Sequence, residues 1–351
     1  MTGSMTQQLA IDYPIIQAPM AGISTPELAA AVSNAGGLGS LGIGASSVSQ
    51  ARAAIAKTRE LTSRPFNVNL FCHPAAQRDS EQEQAWIDYL RPHFARFDAE
   101  PPHRLSEIYQ SFIGHDEMLD MLLTAPPPVV SFHFGLPEAA VIDALKSRNI
   151  VTLATATCLA DAQKIAAAGI DILIAQGYEA GGHRGSFNDD AGDRQLSTQA
   201  LVSLLKAHIP IPLIAAGGIM TGQDIRQMLT LGADGVQLGS AFLLCPESAT
   251  DAGYRARLSA KPAKQTVMTR AISGRSARCI DNHYCRLGQE ADRATVPAYP
   301  VAYDAGKALA SAAKANGEHG YSAHWAGQGI SRIRQMPAAA LLHTLVREAG
   351  L

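Results

Sequence analysis

The chain has 351 residues, 47% apolar and 17% charged, with a formal net charge of −2. That length and apolar content allow a large core and suit one α/β barrel with insertions. A net charge this near zero, without a basic tail, argues against a nucleic-acid binder, no apolar run nears the ~18 residues of a membrane span, and the start MTGSMTQQLA lacks signal-peptide regions.

Strands are predicted at 14–17, 37–41, 66–70, 129–134, 150–155, 170–176, 211–215 and 235–238. Most are Val-, Ile- and Leu-rich without clean alternation, the pattern of parallel strands buried on both faces. Helices are predicted between them at 25–34, 47–61, 137–148, 159–168, 197–207 and 221–231. Thr25, Pro26 and Glu27 supply an N-cap, a first-turn proline and a first-turn acid. Gly169 and Gly232 occupy left-handed C-cap positions. Eight such β–α units predict a TIM (β/α)8 barrel rather than an open sheet.

Two stretches interrupt the rhythm. The expected organisation is barrel over 1–72, an inserted helical cap over 73–127, barrel over 128–245, a second cap segment over 246–302, and C-terminal helices completing the barrel over 303–351. The first insertion is predicted to carry helices near 79–96 and 104–123. Both insertions leave the C-terminal side of the barrel, where catalytic residues gather. The run Arg255, Arg257, Lys261, Lys264, Arg270, Arg275, Arg278 and Arg286 reads either as a solvated face or as local attraction for an anionic substrate. The five cysteines, Cys72, Cys158, Cys245, Cys279 and Cys285, are odd in number and form no CxxC. That argues against a disulfide framework or metal site and for a reducing, cytoplasmic setting.

The turns after strands seven and eight carry Gly217, Gly218 and the run Gln237, Leu238, Gly239, Ser240. Loops at these positions commonly bind phosphate, because glycine lets backbone N–H groups approach it and a helix N-terminus adds a favourable dipole. Ala18, Pro19 and Met20 follow strand one; Met20 either packs on a cofactor face or fills core. Asn67 and Asn69 share one face of strand three. A buried Asn needs partners, and the heteroatom edge of a flavin and a structural group are the two readings. After strand six come Gln176, Gly181 and His183, in QGYEAGGHRG. A histidine in a glycine-rich loop at the catalytic rim is read as catalytic, and Gln176 as a flavin hydrogen-bonder. His133 ends strand four and is either packed and satisfied or catalytic. Tyr303 and Lys307 lie four apart on a predicted helix, reaching into the site or forming a surface pair.

QAPMAG, SNAGGLGSLG, PFNVNLF, SFHFG, QGYEAGGHRG, AAGGI, DGVQLGSAF and WAGQG occur in the order seen in class I nitronate monooxygenases. The chain resembles that family, formerly called 2-nitropropane dioxygenases, over nearly its whole length. The resemblance implies non-covalent FMN, with Asn69, Gln176, Gly181, Gly218 and 237–240 at flavin-binding positions and His183 at the catalytic one. Ser240 stands where many relatives have Thr and keeps the hydroxyl. The implied reaction is oxidation of alkyl nitronates, propionate 3-nitronate among them, by O2 to a carbonyl compound plus nitrite or nitrate. In it His183 would hydrogen-bond the nitro oxygens and take the α-proton of a neutral nitroalkane. A flavin-dependent NAD(P)H:quinone reductase or enoyl-thioester (enoyl-ACP) reductase is the alternative enzyme, and a non-catalytic flavin-binding protein the alternative from another class.

Overall fold

The computed structural model describes residues 5–262 and 265–351; Lys264 and the first four residues of the amino-terminal stretch lie outside them. Eight parallel strands form the central sheet: β1 (Ile15–Gln17), β2 (Gly39–Gly42), β3 (Phe66–Phe71), β4 (Val129–His133), β5 (Val151–Ala156), β6 (Ile172–Gln176), β8 (Leu213–Ala216) and β9 (Gly235–Leu238). Their order is β1-β9-β8-β6-β5-β4-β3-β2. A parallel bridge from Ile16 to Leu38 joins the two ends, with Gln17 N–H donating to the Leu38 carbonyl at 2.9 Å. The sheet is thus rolled into the predicted TIM barrel, each strand within about two residues of its expected limits.

Helices flank the barrel: α1 (Met5–Leu9), α2 (Pro26–Asn34), α3 (Val48–Leu61), α6 (Ala139–Ser147), α7 (Leu159–Ala167), α8 (Thr198–Lys206), α9 (Gly222–Thr230) and α13 (Ala338–Ala349). Thr25 caps α2 through its side chain onto Leu28 N–H, as its sequence signature requires. Thr221 and Asp224 form a capping box at α9. The main core lies between these helices and the strands.

A second apolar cluster joins α4 (Ser80–Ala95), α11 (His283–Leu287) and α12 (Val301–Ala315), through Trp86, Leu90, Tyr284, Val301 and Leu309. One sequence expectation is corrected here. Of the two C-terminal helices, α13 packs on α2 and α9 against the barrel, whereas α12 packs on α4. The apolar face of α12 is buried in that second cluster, so only α13 completes the barrel.

A second correction concerns the helix expected over 104–123. The structure has only α5 (Asp116–Thr124) there. Gly114, at φ +72°, interrupts the helix, and Phe112 N–H bonds instead to the Phe71 carbonyl at 2.8 Å.

A small antiparallel sheet was not foreseen. It consists of β10 (Thr266–Thr269), β11 (Ala277–Ile280) and β7 (Gly182–His183), in the order β10-β11-β7. The short helix α10 (Ala252–Leu258) lies in the same part of the chain. No helix among the described residues is long and apolar enough to cross a membrane.

Candidate active site

A cavity of about 1060 Å³ opens at the C-terminal ends of the barrel strands. Ala18, Pro19, Met20, Asn69, His133, Gln176, Gly181, His183, Gly217, Gly218, Gln237, Leu238, Gly239, Ser240, Tyr303 and Lys307 all border it. The fold therefore brings together every residue singled out as catalytic, cofactor-binding or substrate-binding. Asn67 is not on its wall; it lies buried and donates to Ser40 Oγ at 3.2 Å. Asn69 borders the cavity while donating to the Ser131 hydroxyl at 2.9 Å.

The segment carrying His183 is not a loose loop. Gly182 and His183 pair with Arg278 and Ala277 of β11. Arg184, 1% exposed, fastens it from behind through Asp193 at 2.6 Å and the Gly177 carbonyl at 2.8 Å. Gln176 accepts from Gly185 N–H at 2.8 Å and donates to the His183 carbonyl at 3.0 Å. Gln176 thus holds the strand of His183 while bordering the cavity, with one amide N–H still to donate. Glu179 accepts from Thr198 N–H and Oγ1 at 2.8 and 2.9 Å, so it ties the segment to α8. Gly181 permits a close backbone approach, since a Cβ there would lie 2.4 Å from Gly327 N.

The His183 ring sits among Trp325, Tyr299, Phe134 and Tyr303, with centroids 5.0, 5.4, 5.7 and 6.1 Å away. Its Nε2 is 2.9 Å from Ser273 Oγ. The Ser273 hydroxyl also lies 3.1 Å from the Arg275 carbonyl. With its proton on that carbonyl Ser273 Oγ accepts from His183 Nε2–H, and with its proton on Nε2 the ring proton sits on Nδ1; the contact fixes the ring's orientation and admits either tautomer. Burial first, then the nearby His133 and Arg275, push the His183 pKa down to about 3. The imidazole is neutral at pH 7.

His133 stands behind, its Nε2 3.3 Å from the His183 carbonyl. Burial is the main reason its pKa falls to about 4. Phe134 does not turn away into an apolar layer, as alternation along the strand suggests. At φ +76° it has left the strand and lies against His133 and Tyr299, with the Arg275 guanidinium 4.3 Å from its ring.

Tyr303 and Lys307 line the cavity rather than forming a surface pair. The Lys307 ammonium lies 4.8 Å from the Tyr109 ring and 5.8 Å from the Tyr303 ring, and burial lowers its pKa. No carboxylate lies within ion-pair distance of it among the described residues. Tyr299, which also lines the cavity, has a buried hydroxyl without a partner.

The opposite wall has the character of a phosphate and flavin cradle. Gly217 and Gly218 have φ of +126° and +70°, conformations other residues rarely hold. Gln237 Oε1 is buried and unpartnered, an acceptor that the protein leaves for another molecule. Ser240 Oγ accepts from Gly327 N–H at 2.9 Å, which ties this turn to the WAGQG segment. Sequence reasoning missed Phe134, Ser273, Tyr299 and Trp325 as site residues and named Arg275 only within a basic run. Nothing local marks Tyr299, which precedes Pro300 and lies outside α12.

The profile of the family described as nitronate monooxygenase matches residues 3–348. A nitronate monooxygenase of Paraburkholderia phytofirmans is 54% identical, over 97% of this chain and 93% of that protein. One from Pseudomonas aeruginosa is 51% identical over 99% of both. The crystal structure of a nitroalkane oxidase from Streptomyces ansochromogenes is similar at a TM-score of 0.90 and 37% identity, covering 99% of this chain and 98% of that one.

Proposed function

Because the chain belongs to the nitronate monooxygenase family and is thus an oxidoreductase, we propose that it binds FMN and uses O2 to oxidise alkyl nitronates such as propionate 3-nitronate to a carbonyl compound plus nitrite or nitrate. One observation carries the reading. A neutral, fixed imidazole and an unpaired ammonium share a cavity with two glycine turns and an orphan amide oxygen.

Gly217, Gly218, Gly239 and Ser240 would hold the FMN phosphate through backbone N–H groups and the serine hydroxyl. Ala18, Pro19, Met20, Asn69, Gly181 and Leu238 line the space for the ring system, Gln176 would brace it from behind, and Gln237 Oε1 would be the acceptor left for it. FMN bound there would supply the redox chemistry between the nitronate and O2. The protein's part is to bind, orient and shield. A nitronate is an anion, and Lys307 supplies the opposite charge where water is scarce. The Tyr299 hydroxyl is a donor free for a nitronate oxygen, with Tyr303 beside it. His183, its Nε2 held 2.9 Å from Ser273 Oγ, has Nδ1 left for the substrate's oxygens, to which it donates in the Nδ1–H tautomer. A histidine this hard to protonate is also a weak base, so the ionised nitronate, not the neutral nitroalkane, is the substrate. The cytoplasm is the proposed location, on the strength of five cysteines that are all free.

The test is a visible spectrum of the purified protein, chromatography of the released cofactor, and oxygen uptake with propionate 3-nitronate. A yellow protein that releases FMN and consumes O2 with the nitronate is expected. Bleaching of the flavin by NAD(P)H under anaerobic conditions, without nitronate turnover in air, would establish a reductase instead.

A further inference from the structure

The same cavity is bordered, away from His183, by a second group of polar side chains. His324 and Ser322 are 2% and 4% exposed, and both border the cavity together with Asp251 and Lys314. Neither ring nitrogen of His324 has a hydrogen-bond partner, and neither has the Ser322 hydroxyl. His324 is firmly placed all the same. Its ring stacks on Tyr254 at 4.4 Å and 19°, and its carbonyl accepts from Ile280 N–H at 2.8 Å.

A buried donor left unpaired costs about 1–3 kcal/mol, and native interiors leave few of them. A neutral imidazole carries one N–H in either tautomer, so His324 always presents an orphan donor, and Ser322 O–H presents a second. The surrounding charge favours an anion. Arg257 and Lys314 are the cations that act on His324, and Asp251 is the carboxylate. That carboxylate is already engaged by Lys314 at 2.7 Å and by Tyr254 N–H at 2.8 Å. The Arg257 Nε is itself buried without a partner.

From this juxtaposition we propose that His324 and Ser322 form a second binding site in the cavity, for a small planar oxyanion of the carboxylate, nitrite or nitrate class. The ligand's oxygens accept from His324 N–H and Ser322 O–H, and Arg257 and Lys314 supply the positive field. The half-exposed Asp251–Lys314 pair borders the way in from solvent. The site shares the cavity with His183 but uses none of the groups assigned to the reaction, and it does not depend on which nitronate is oxidised there.

The experiment is calorimetric titration of the purified, flavin-loaded enzyme with sodium acetate, sodium nitrite and sodium nitrate, at an ionic strength fixed with sodium chloride. The same titrations in a Lys307→Met background remove anion binding at the reaction centre. Saturable binding of an oxyanion is expected in both proteins, weakened at least about tenfold by Ser322→Ala and by His324→Leu, in line with loss of a buried hydrogen bond. His324→Gln, which keeps a donor and an acceptor, should bind more tightly than His324→Leu. Tighter binding of acetate identifies a carboxylate as the natural ligand; tighter binding of nitrite or nitrate identifies a product-type anion. No saturable heat with any of the three, or affinities unchanged in Ser322→Ala and His324→Leu, overturns the proposal and leaves the chamber to ordered water only. Thermal melting of each variant checks folding, and if His324→Leu does not fold, Ser322→Ala decides the matter alone.

Discussion

Ser273 Oγ lies 2.9 Å from His183 Nε2 and 3.1 Å from the Arg275 carbonyl. The serine therefore ties the orientation of the histidine ring to the backbone of the 273–275 turn. Ser273→Ala should lower kcat/KM for propionate 3-nitronate about tenfold, the worth of one buried hydrogen bond, with flavin content unchanged. His183→Ala should lower it ~10²–10⁴-fold. Steady-state oxygen uptake on both variants is the check, and a Ser273→Ala enzyme within twofold of wild type would show that the ring is held by something else.

The activity should show no acid limb near pH 6.5. Burial, reinforced by His133 and Arg275, holds the His183 pKa at about 3, so the neutral ring persists across the physiological range. A pH profile of kcat/KM for a pre-formed nitronate should be flat from neutrality down to about pH 5 and fall below that. Neutral nitroalkanes should be turned over at least ~10²-fold more slowly, since a base this weak removes the α-proton poorly. A limb at pH 6–7 that disappears in His183→Ala would contradict the assignment.

Lys307 is the unpaired cation of the cavity. A charge-assisted hydrogen bond contributes ~1.5–3 kcal/mol, so Lys307→Met should raise KM for anionic nitronates ~10–100-fold while changing kcat far less. Equal losses in KM and kcat would instead indicate that Lys307 acts on the reacting atoms.

The two glycine turns allow a clean and a confounded test of phosphate binding. A Cβ at Gly218 meets Glu179 Cβ at 3.0 Å and forces a side chain into φ +70°, so Gly218→Val strains the backbone as well as the cradle. A Cβ at Gly239 meets only Ala18 at 3.5 Å and Met20 at 3.9 Å. Gly239→Val should therefore fold normally by circular dichroism and purify with little flavin. Full yellow colour in that variant would remove Gly239 from the cofactor site.

Stability should decline on the acid side. His133, His183 and His324 have folded pKa values of about 4, 3 and 3, below the ~6.5 of an unfolded histidine. The unfolded chain thus binds more protons between pH 6.5 and about 4. The contribution is complete above pH 6.5 and is lost as pH falls through that window, at ~1.4 kcal/mol per pH unit for each histidine. Chemical-denaturation midpoints at pH 7, 6 and 5 measure it. Replacing His324 by Leu should flatten the slope, and an unchanged slope would mean that His324 does not titrate on unfolding.

The barrel was legible because its signals are local. Continuous apolar runs, caps such as Thr25 and Ser197, and glycines at 169 and 232 each announce an element within a few residues. The glycine-bearing wall of the cavity was legible for the same reason: glycine turns keep their meaning in isolation. What the chain did not announce depends on distant partners. Gly182 and His183 look like loop until β11, some 95 residues onward, supplies the other strand. Ser273 lies in an irregular stretch and gains its role only by meeting His183. Tyr303 and Lys307 stayed open between a surface pair and a place in the site because nothing nearby reveals that α4 covers one side of α12 while these two border the cavity.

Surface loops usually tolerate added or deleted residues, yet the stretch from Trp325 to Gly329 has no such freedom. Three consecutive amides are tied to three remote places: Ala326 to the Arg278 carbonyl, Gly327 to Ser240 Oγ, and Gln328 to the Glu179 carbonyl. The segment acts as a fixed ruler laid across the small sheet, the phosphate turn and the histidine segment. A single insertion there would put all three out of register at once, so its length is constrained as strictly as the identity of any catalytic side chain.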